Sequence, residues 1–131
     1  MADCQALLTT VESSPGPLDD ETLGRVICAV LGVEFRSSVH VWGAEDIDAT
    51  HAVYGGDGSA PLWSGPRHSA PDVSIDAAVG LVEQCGLSWV LSSRGVAIVE
   101  RETYVSKLAK AATPPLSLLA ALLRAREAEH G

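Results

Sequence analysis

The chain has 131 residues, which is enough for one domain whose hydrophobic core folds without disulfides or a structural metal. Hydrophobic residues make up 47%, but the apolar runs are far shorter than the roughly 18 residues of a membrane span, so a soluble protein is expected. The net charge of −8 disfavours nucleic acid as a partner, because phosphates are neutralised by a basic face; a basic protein is the better electrostatic match.

The N-terminus and the cysteines indicate a cytoplasmic protein. The first residues lack a basic segment followed by an apolar core, so neither a signal peptide nor a transit peptide is predicted. The cysteines Cys4, Cys28 and Cys85 lack CxxC pairing, and the last two lie in apolar helical patterns. We therefore expect reduced, unreactive thiols that pack as small hydrophobic residues.

The first third of the chain predicts two helices. Apolar residues at helical spacing over Asp3 to Val11 predict a short helix, which the Ser13 to Pro17 segment ends because residues before proline avoid α geometry. A second apolar stripe follows Asp19 and Asp20, either of which is a suitable N-cap, and stops at Gly32. This second helix is predicted to belong to the core.

The middle of the chain predicts one strand and then a long loop. Alternation and β-branched residues between Phe35 and Ala44 favour the strand. Residues 45–71 are rich in Gly, Ser, Asp, Pro and His, which predicts a loop with short extended pieces around Ala52 to Tyr54 or around Leu62 and Trp63. A loop of this length tends to be functional or disordered, so it is the first place to look for a binding surface.

The last third predicts a helix, a strand pair and a final helix. Ser74 is an N-cap and Gly86 a stop for the third helix. The runs Leu87 to Ser92 and Val96 to Val105 flank a glycine-containing turn and predict a β-hairpin. Thr113 then caps a helix that begins with proline. Its predicted apolar stripe consists of Leu116, Leu119, Ala120 and Leu123.

These elements define the α+β fold class. The prediction is a single domain, 1–131, with four helices packed against a small antiparallel sheet of about three strands. The strands must bury their apolar faces against the helices, which places helices on one or both faces of the sheet. The sequence shows no internal repeat.

Motifs for catalysis, metal binding and cofactor binding are lacking. The potential metal ligands in and around the loop are His40, His51, His68, His130, Asp46, Asp48 and Asp57. None stands at HxxxH, HxH or CxxC spacing, so no metal is predicted. Gly55 to Ser59 is rich in glycine but is not followed by Lys-Ser or Lys-Thr, and Trp63 to Pro66 is not a GxSxG elbow. We therefore predict no cofactor and no enzymatic activity.

A cluster of aromatic and basic residues in or beside the loop is the candidate binding site. It comprises Trp42, Tyr54, Trp63, Arg67 and His68. Aromatic rings stack on bases and an arginine fork binds phosphate, so the cluster could hold a small nucleotide or a side chain of a partner protein. The alternative is that the two tryptophans only cover the sheet, as large aromatic residues usually do.

Several segments of the chain carry a family resemblance through their order and spacing. They are Leu7-Leu8, Gly16 to Asp19, Ser74 to Ala78, Leu81-Val82, Ala112 to Pro114, Leu116, Leu119 and Ala120 to Ala125. Together they resemble the phage ABA-sandwich domain family of small phage and prophage proteins. The resemblance spans about Cys4 to Ala125 and departs from the family in the longer stretch His51 to His68. The resemblance implies a helix/sheet/helix layering and a viral origin, and it brings no catalytic residues.

The leading functional hypothesis is a non-enzymatic phage or prophage accessory protein that binds and inhibits a host protein or defence complex in the host cytoplasm. A first alternative is a sponge that sequesters a small cyclic nucleotide immune signal with the loop from Trp42 to His68, at a homodimer interface. Two further alternatives are a small hydrolase and a virion assembly protein. Neither a membrane nor nucleic acid is an expected partner.

Overall fold

The computed structural model describes residues 4–41, 50–58, 60–91, 96–100 and 107–130. These ranges contain four α-helices and six β-strands, so the predicted α+β class is confirmed. The helices are α1 (Cys4–Ser13), α2 (Asp20–Leu31), α3 (Ile75–Gln84) and α4 (Pro114–His130). The strands are β1 (Phe35–Val41), β2 (Thr50–Gly55), β3 (Trp63–Pro66), β4 (Ser88–Leu91), β5 (Val96–Glu100) and β6 (Lys107–Lys110), and a 3₁₀ turn covers Arg67–Ser69.

The described strands form two antiparallel sheets of three strands each. Sheet A has the order β1-β2-β3 and sheet B the order β4-β5-β6. A three-stranded antiparallel sheet was expected, and the predicted hairpin is the β4-β5 pair. There are two sheets because β1 pairs with β2, which lies within the predicted loop, and not with the hairpin. The hairpin becomes a separate sheet, in which β6 pairs with β5 as an edge strand. The run KLAK of β6 is too short to show a strand pattern, although lysine is common on exposed sheet edges.

The predicted long loop at 45–71 contains β2, β3 and the 3₁₀ turn. Its glycines form the β2–β3 turn, since Gly56 and Gly58 have φ values of 64° and 72° that favour glycine. Gly55 is needed for close packing, because a Cβ there would lie 2.7 Å from the Cys28 sulfur. Of the two alternatives predicted for a short extended piece, Ala52 to Tyr54 lies in β2, and Leu62 directly precedes Trp63, the first residue of β3.

Helix α2 begins and ends where the sequence predicts. The Asp19 carboxylate accepts a hydrogen bond from the Thr22 backbone N–H at 2.7 Å, and this bond lowers the pKa of Asp19. Gly32 closes the helix in the left-handed conformation, with φ at 77°. At the same end, Nε of Arg126 donates to the Val30 carbonyl at 2.6 Å, which ties α4 to α2.

The helices lie between the two sheets. Helix α2 packs on β1 and β2 on one side and on α1 and α4 on the other, whereas α4 packs on β5 and β6. Helix α3 contacts α4 and β4. The observed layering is thus sheet, helices, sheet, which differs from the helix/sheet/helix order implied by the family resemblance. Two separate small sheets each need an apolar face covered, and the central helices cover both.

Helix α4 is the centre of the core. Residues 116–123 are all fully buried, including Ser117, whose hydroxyl accepts a hydrogen bond from the Ala111 backbone N–H at 2.9 Å. The sequence predicted an apolar stripe on one face, but Leu118 and Leu122 are as deeply buried as Leu119. A helix that is apolar around its whole circumference is enclosed by other elements, as α4 is by helices and sheet B.

Replacing Gly24 and replacing Gly80 by alanine should change the stability of the protein in opposite directions. A Cβ at Gly24 would collide with the Phe35 ring and lie 2.9 Å from Cβ of Ser38, whereas a Cβ at Gly80 would meet nothing within 4 Å. We expect Gly80→Ala to raise the free energy of unfolding by about 0.5–1 kcal/mol through helix propensity. Gly24→Ala should lower it by about 1–2 kcal/mol, because overpacking outweighs that gain. Urea denaturation of both variants checks the pair, and equal signs would contradict this packing of α2.

In the parts of the chain described, no helix is both long enough and apolar enough to cross a membrane.

Candidate binding cleft

The structure separates the residues of the predicted aromatic cluster. Trp42 lies outside the described residues. Trp63 pairs with Val53 across β2 and β3, so Tyr54, the next residue along β2, lies on the opposite face of sheet A. His68 is exposed on the 3₁₀ turn. Among the described members, Trp63 lines a cleft.

Arg67 is the centre of a partly buried hydrogen-bonded network. Its Nη1 and Nη2 donate to the two carboxylate oxygens of Asp72 at 2.6 and 2.8 Å, a bidentate geometry. Nη2 also donates to the Leu18 carbonyl at 2.6 Å, and Nε donates to Asp20 at 3.1 Å. Asp72 has a fully buried side chain and accepts a further bond from the Leu18 N–H at 2.7 Å. We call this set, Leu18, Asp20, Arg67 and Asp72, the arginine clamp.

The arginine clamp fastens the 3₁₀ turn to the start of α2 and to the segment before α3. Four of the five N–H donors of Arg67 point at protein oxygens, and the hydrogen bonds to Asp72 raise the pKa of the guanidinium. A phosphate group would have to compete with a buried carboxylate for this side chain. The sequence did not reveal this role, because Asp72 has no motif around it and its partners are 54 and 5 residues away.

Trp63 lines a cleft of about 280 Å³ between α2, α3 and the β2–β3 connection. Its lining residues are Ile27, Leu62, Trp63, Pro71, Ala77, Gly80, Leu81 and Gln84. Seven of these eight residues are apolar, so the cleft can accommodate a hydrocarbon or aromatic group by excluding water from both surfaces. Gly80 leaves the α3 wall open because it has no side chain and no neighbour within 4 Å of a Cβ.

Behind Trp63, the interior face of sheet A carries a serine–histidine pair. The hydroxyl of Ser38 is 2.5 Å from Nε2 of the fully buried His51, whose ring centroid is 6.3 Å from that of Trp63. Such a pair resembles the start of a nucleophilic triad. Ser38, however, faces α2 so closely that Gly24 is required opposite it. A substrate cannot approach from that side, so the pair stabilises the sheet rather than presenting a nucleophile.

The other potential reactive groups are also engaged in structure. The thiol of Cys28 is buried beside the Tyr54 carbonyl, and burial raises its pKa to about 11, so it is protonated at neutral pH. Within the described ranges, no three His, Cys, Asp or Glu side chains converge as a metal site would require. Asp46 and Asp48 lie outside these ranges, and the side chains of His40 and His130 are likewise not described.

Comparison with known proteins does not assign the chain to a family. No protein-family model matches it, and neither the curated proteins nor the solved structures give a significant match. The resemblance to the phage ABA-sandwich domain therefore stays a prediction.

Proposed function

We propose that this chain is a non-enzymatic binding protein that accommodates an apolar side chain of a partner protein in the Trp63 cleft. The observation that supports this function is the cleft itself, with its apolar lining and its open α3 wall at Gly80. Interfaces are commonly anchored by a few apolar or aromatic side chains in such pockets. The nearby groups that could perform chemistry are held in internal contacts, since Arg67 bonds Asp72 and the Cys28 thiol is buried.

The biological role follows from the family resemblance. As a small phage or prophage accessory protein, the chain would bind a host component in the host cytoplasm and inhibit it, most directly as an antagonist of host defence. Inhibition by occupation needs only a stable complex, so a catalytic site is unnecessary. The net charge of −8 would favour association with a basic surface of the partner.

A nucleotide sponge is the second candidate, because Trp63 borders the cleft and an indole ring can stack on a base. In this arrangement the base, rather than the phosphate, would be recognised by the described residues, since Arg67 is occupied by Asp72. A rise of the melting temperature on addition of cyclic nucleotides would favour the sponge. Intact recovery of the nucleotide after denaturation would distinguish sequestration from hydrolysis.

Filling the cleft tests the proposed function. We expect Gly80→Leu to reduce capture of the partner from host lysate by at least about tenfold, because the new side chain occupies the space of the anchor. Gly16→Leu is the matched control: it makes the same change in the α1–α2 connection, where a Cβ also meets nothing within 4 Å. Mass spectrometry should find the partner with the parent protein and Gly16→Leu.

The same partner captured equally by Gly80→Leu would contradict the proposed function. Circular dichroism and thermal melting of each variant establish that loss of capture does not come from unfolding.

A further inference from the structure

We infer that the partner segment carries lysine or arginine beside its apolar anchor. This inference rests on the proposed function of the Trp63 cleft and adds the chemistry of the occupant. Gly80, at the open wall, is four residues after Asp76 and three residues before Glu83 on α3. Residues at these spacings are neighbours on a helix surface, so the two carboxylates flank the open wall. Both residues are exposed.

The charge of this rim is available to a partner. Neither Asp76 nor Glu83 forms an ion pair with the residues that the structure describes. The nearest arginine in sequence before Pro71 of the cleft is Arg67, and its charge is already balanced by Asp72 and Asp20. At physiological salt, exposed charges are screened beyond about 8–10 Å. A segment docked in the cleft therefore interacts more strongly with Asp76 and Glu83 than with carboxylates elsewhere on the surface.

The spacing of the rim favours two basic side chains over one metal ion. Asp76 and Glu83 are seven residues apart, which is about 10 Å along a helix axis, too far for both carboxylates to bind one cation. In an extended segment the two residues that flank a single anchor lie about 7 Å apart, and the long, flexible side chains of lysine or arginine span the remaining distance to the two carboxylates. The apolar lining between them accepts the anchor.

Synthetic peptides of matched sequence test the inference. Each acetylated and amidated peptide carries one anchor, leucine in one series and phenylalanine in another, flanked on both sides by Lys, Ser or Glu. Titration into the ¹⁵N-labelled full chain, followed by NMR shifts of the residues that line the cleft, gives the affinities. We expect each lysine that replaces a serine to tighten binding about two- to fivefold. The Glu peptide should bind most weakly of the three.

Substitution and salt separate the rim from the cleft. Glu83→Gln should reduce the preference for the Lys peptide over the Ser peptide, because it removes one of the two carboxylates. Salt at 0.5 M should reduce it as well, because it shortens the Debye length to about 4 Å and screens exposed charges. Glu21→Gln, the same change at another exposed helical position, should leave the preference unchanged. Equal binding of the Lys, Ser and Glu peptides would overturn the inference and leave the cleft as a binding site. No shift of the cleft residues with any peptide would overturn the proposed function and the inference with it.

Discussion

Replacing Asp72 by alanine is expected to lower the free energy of unfolding by about 3–5 kcal/mol. The Asp72 side chain is fully buried, and its two oxygens accept three hydrogen bonds, two from Arg67 and one from the Leu18 N–H. Its removal leaves the Arg67 guanidinium, 22% exposed, with a charge that is only partly compensated by Asp20. Urea denaturation followed by circular dichroism measures the loss.

The control for Asp72 is the exposed ion pair of Arg25 and Glu21, which is an i,i+4 contact of 3.3 Å on α2. Glu21→Gln should cost no more than about 0.5 kcal/mol, because exposed pairs are screened. A double-mutant cycle of Asp72→Ala with Arg67→Met should show that the second substitution adds much less than it costs alone. A loss for Asp72→Ala as small as that for Glu21→Gln would refute the arginine clamp.

Leu118→Ala and Leu122→Ala should each lower the free energy of unfolding by about 2–5 kcal/mol. Both residues are fully buried although they lie off the apolar stripe that the sequence predicts, Leu116, Leu119, Ala120 and Leu123. If α4 had one solvent-facing side, both substitutions would be nearly neutral. A large loss of stability in these two variants would therefore indicate that α4 is enclosed by α1, α2, α3 and sheet B.

Leu119→Ala and Val73→Ala are the two reference variants for α4. Leu119 lies on the predicted stripe and is fully buried. Its replacement by alanine should therefore lower the free energy of unfolding as much as the replacement of Leu118 or Leu122. Val73 is 39% exposed, and its truncation should change the free energy of unfolding by about 0.5 kcal/mol or less. The central position of α4 would be contradicted if Leu118→Ala and Leu122→Ala lowered the free energy of unfolding as little as Val73→Ala does.

The helices were predictable because their signals are local. The cap at Asp19, the stop at Gly32 and the cap at Ser74 each depend on residues within one turn, and all three lie where the sequence places them. The β4–β5 hairpin was predictable for the same reason. Strand β6 was not predictable, because the run KLAK has no β-branched or aromatic residue. For β2 and β3 the sequence indicated only short extended pieces, because the Gly, Ser, Asp and Pro residues of 45–71 favour a loop.

The candidate site was only partly predictable. Trp63 was singled out from composition and does line the cleft, but its neighbours Ile27, Leu81 and Gln84 come from helices for which the sequence predicted no part in binding. Arg67 was a candidate for binding a small nucleotide or a partner's side chain, because an arginine in a polar segment has no partner that the sequence reveals. The Asp72 carboxylate that binds it has no local signature, and pairing across a fold depends on tertiary geometry.

The position of α4 in the chain has a consequence for biosynthesis. Helices α1, α2 and α3 and the strands of both sheets precede it, so they leave the ribosome before the helix that forms the centre of their core has been made. Until then their apolar faces have no permanent cover, and partly synthesised chains should depend on chaperones or bind to one another. The native fold is therefore completed only after α4 is released, and protease resistance of stalled nascent chains should appear abruptly at that length.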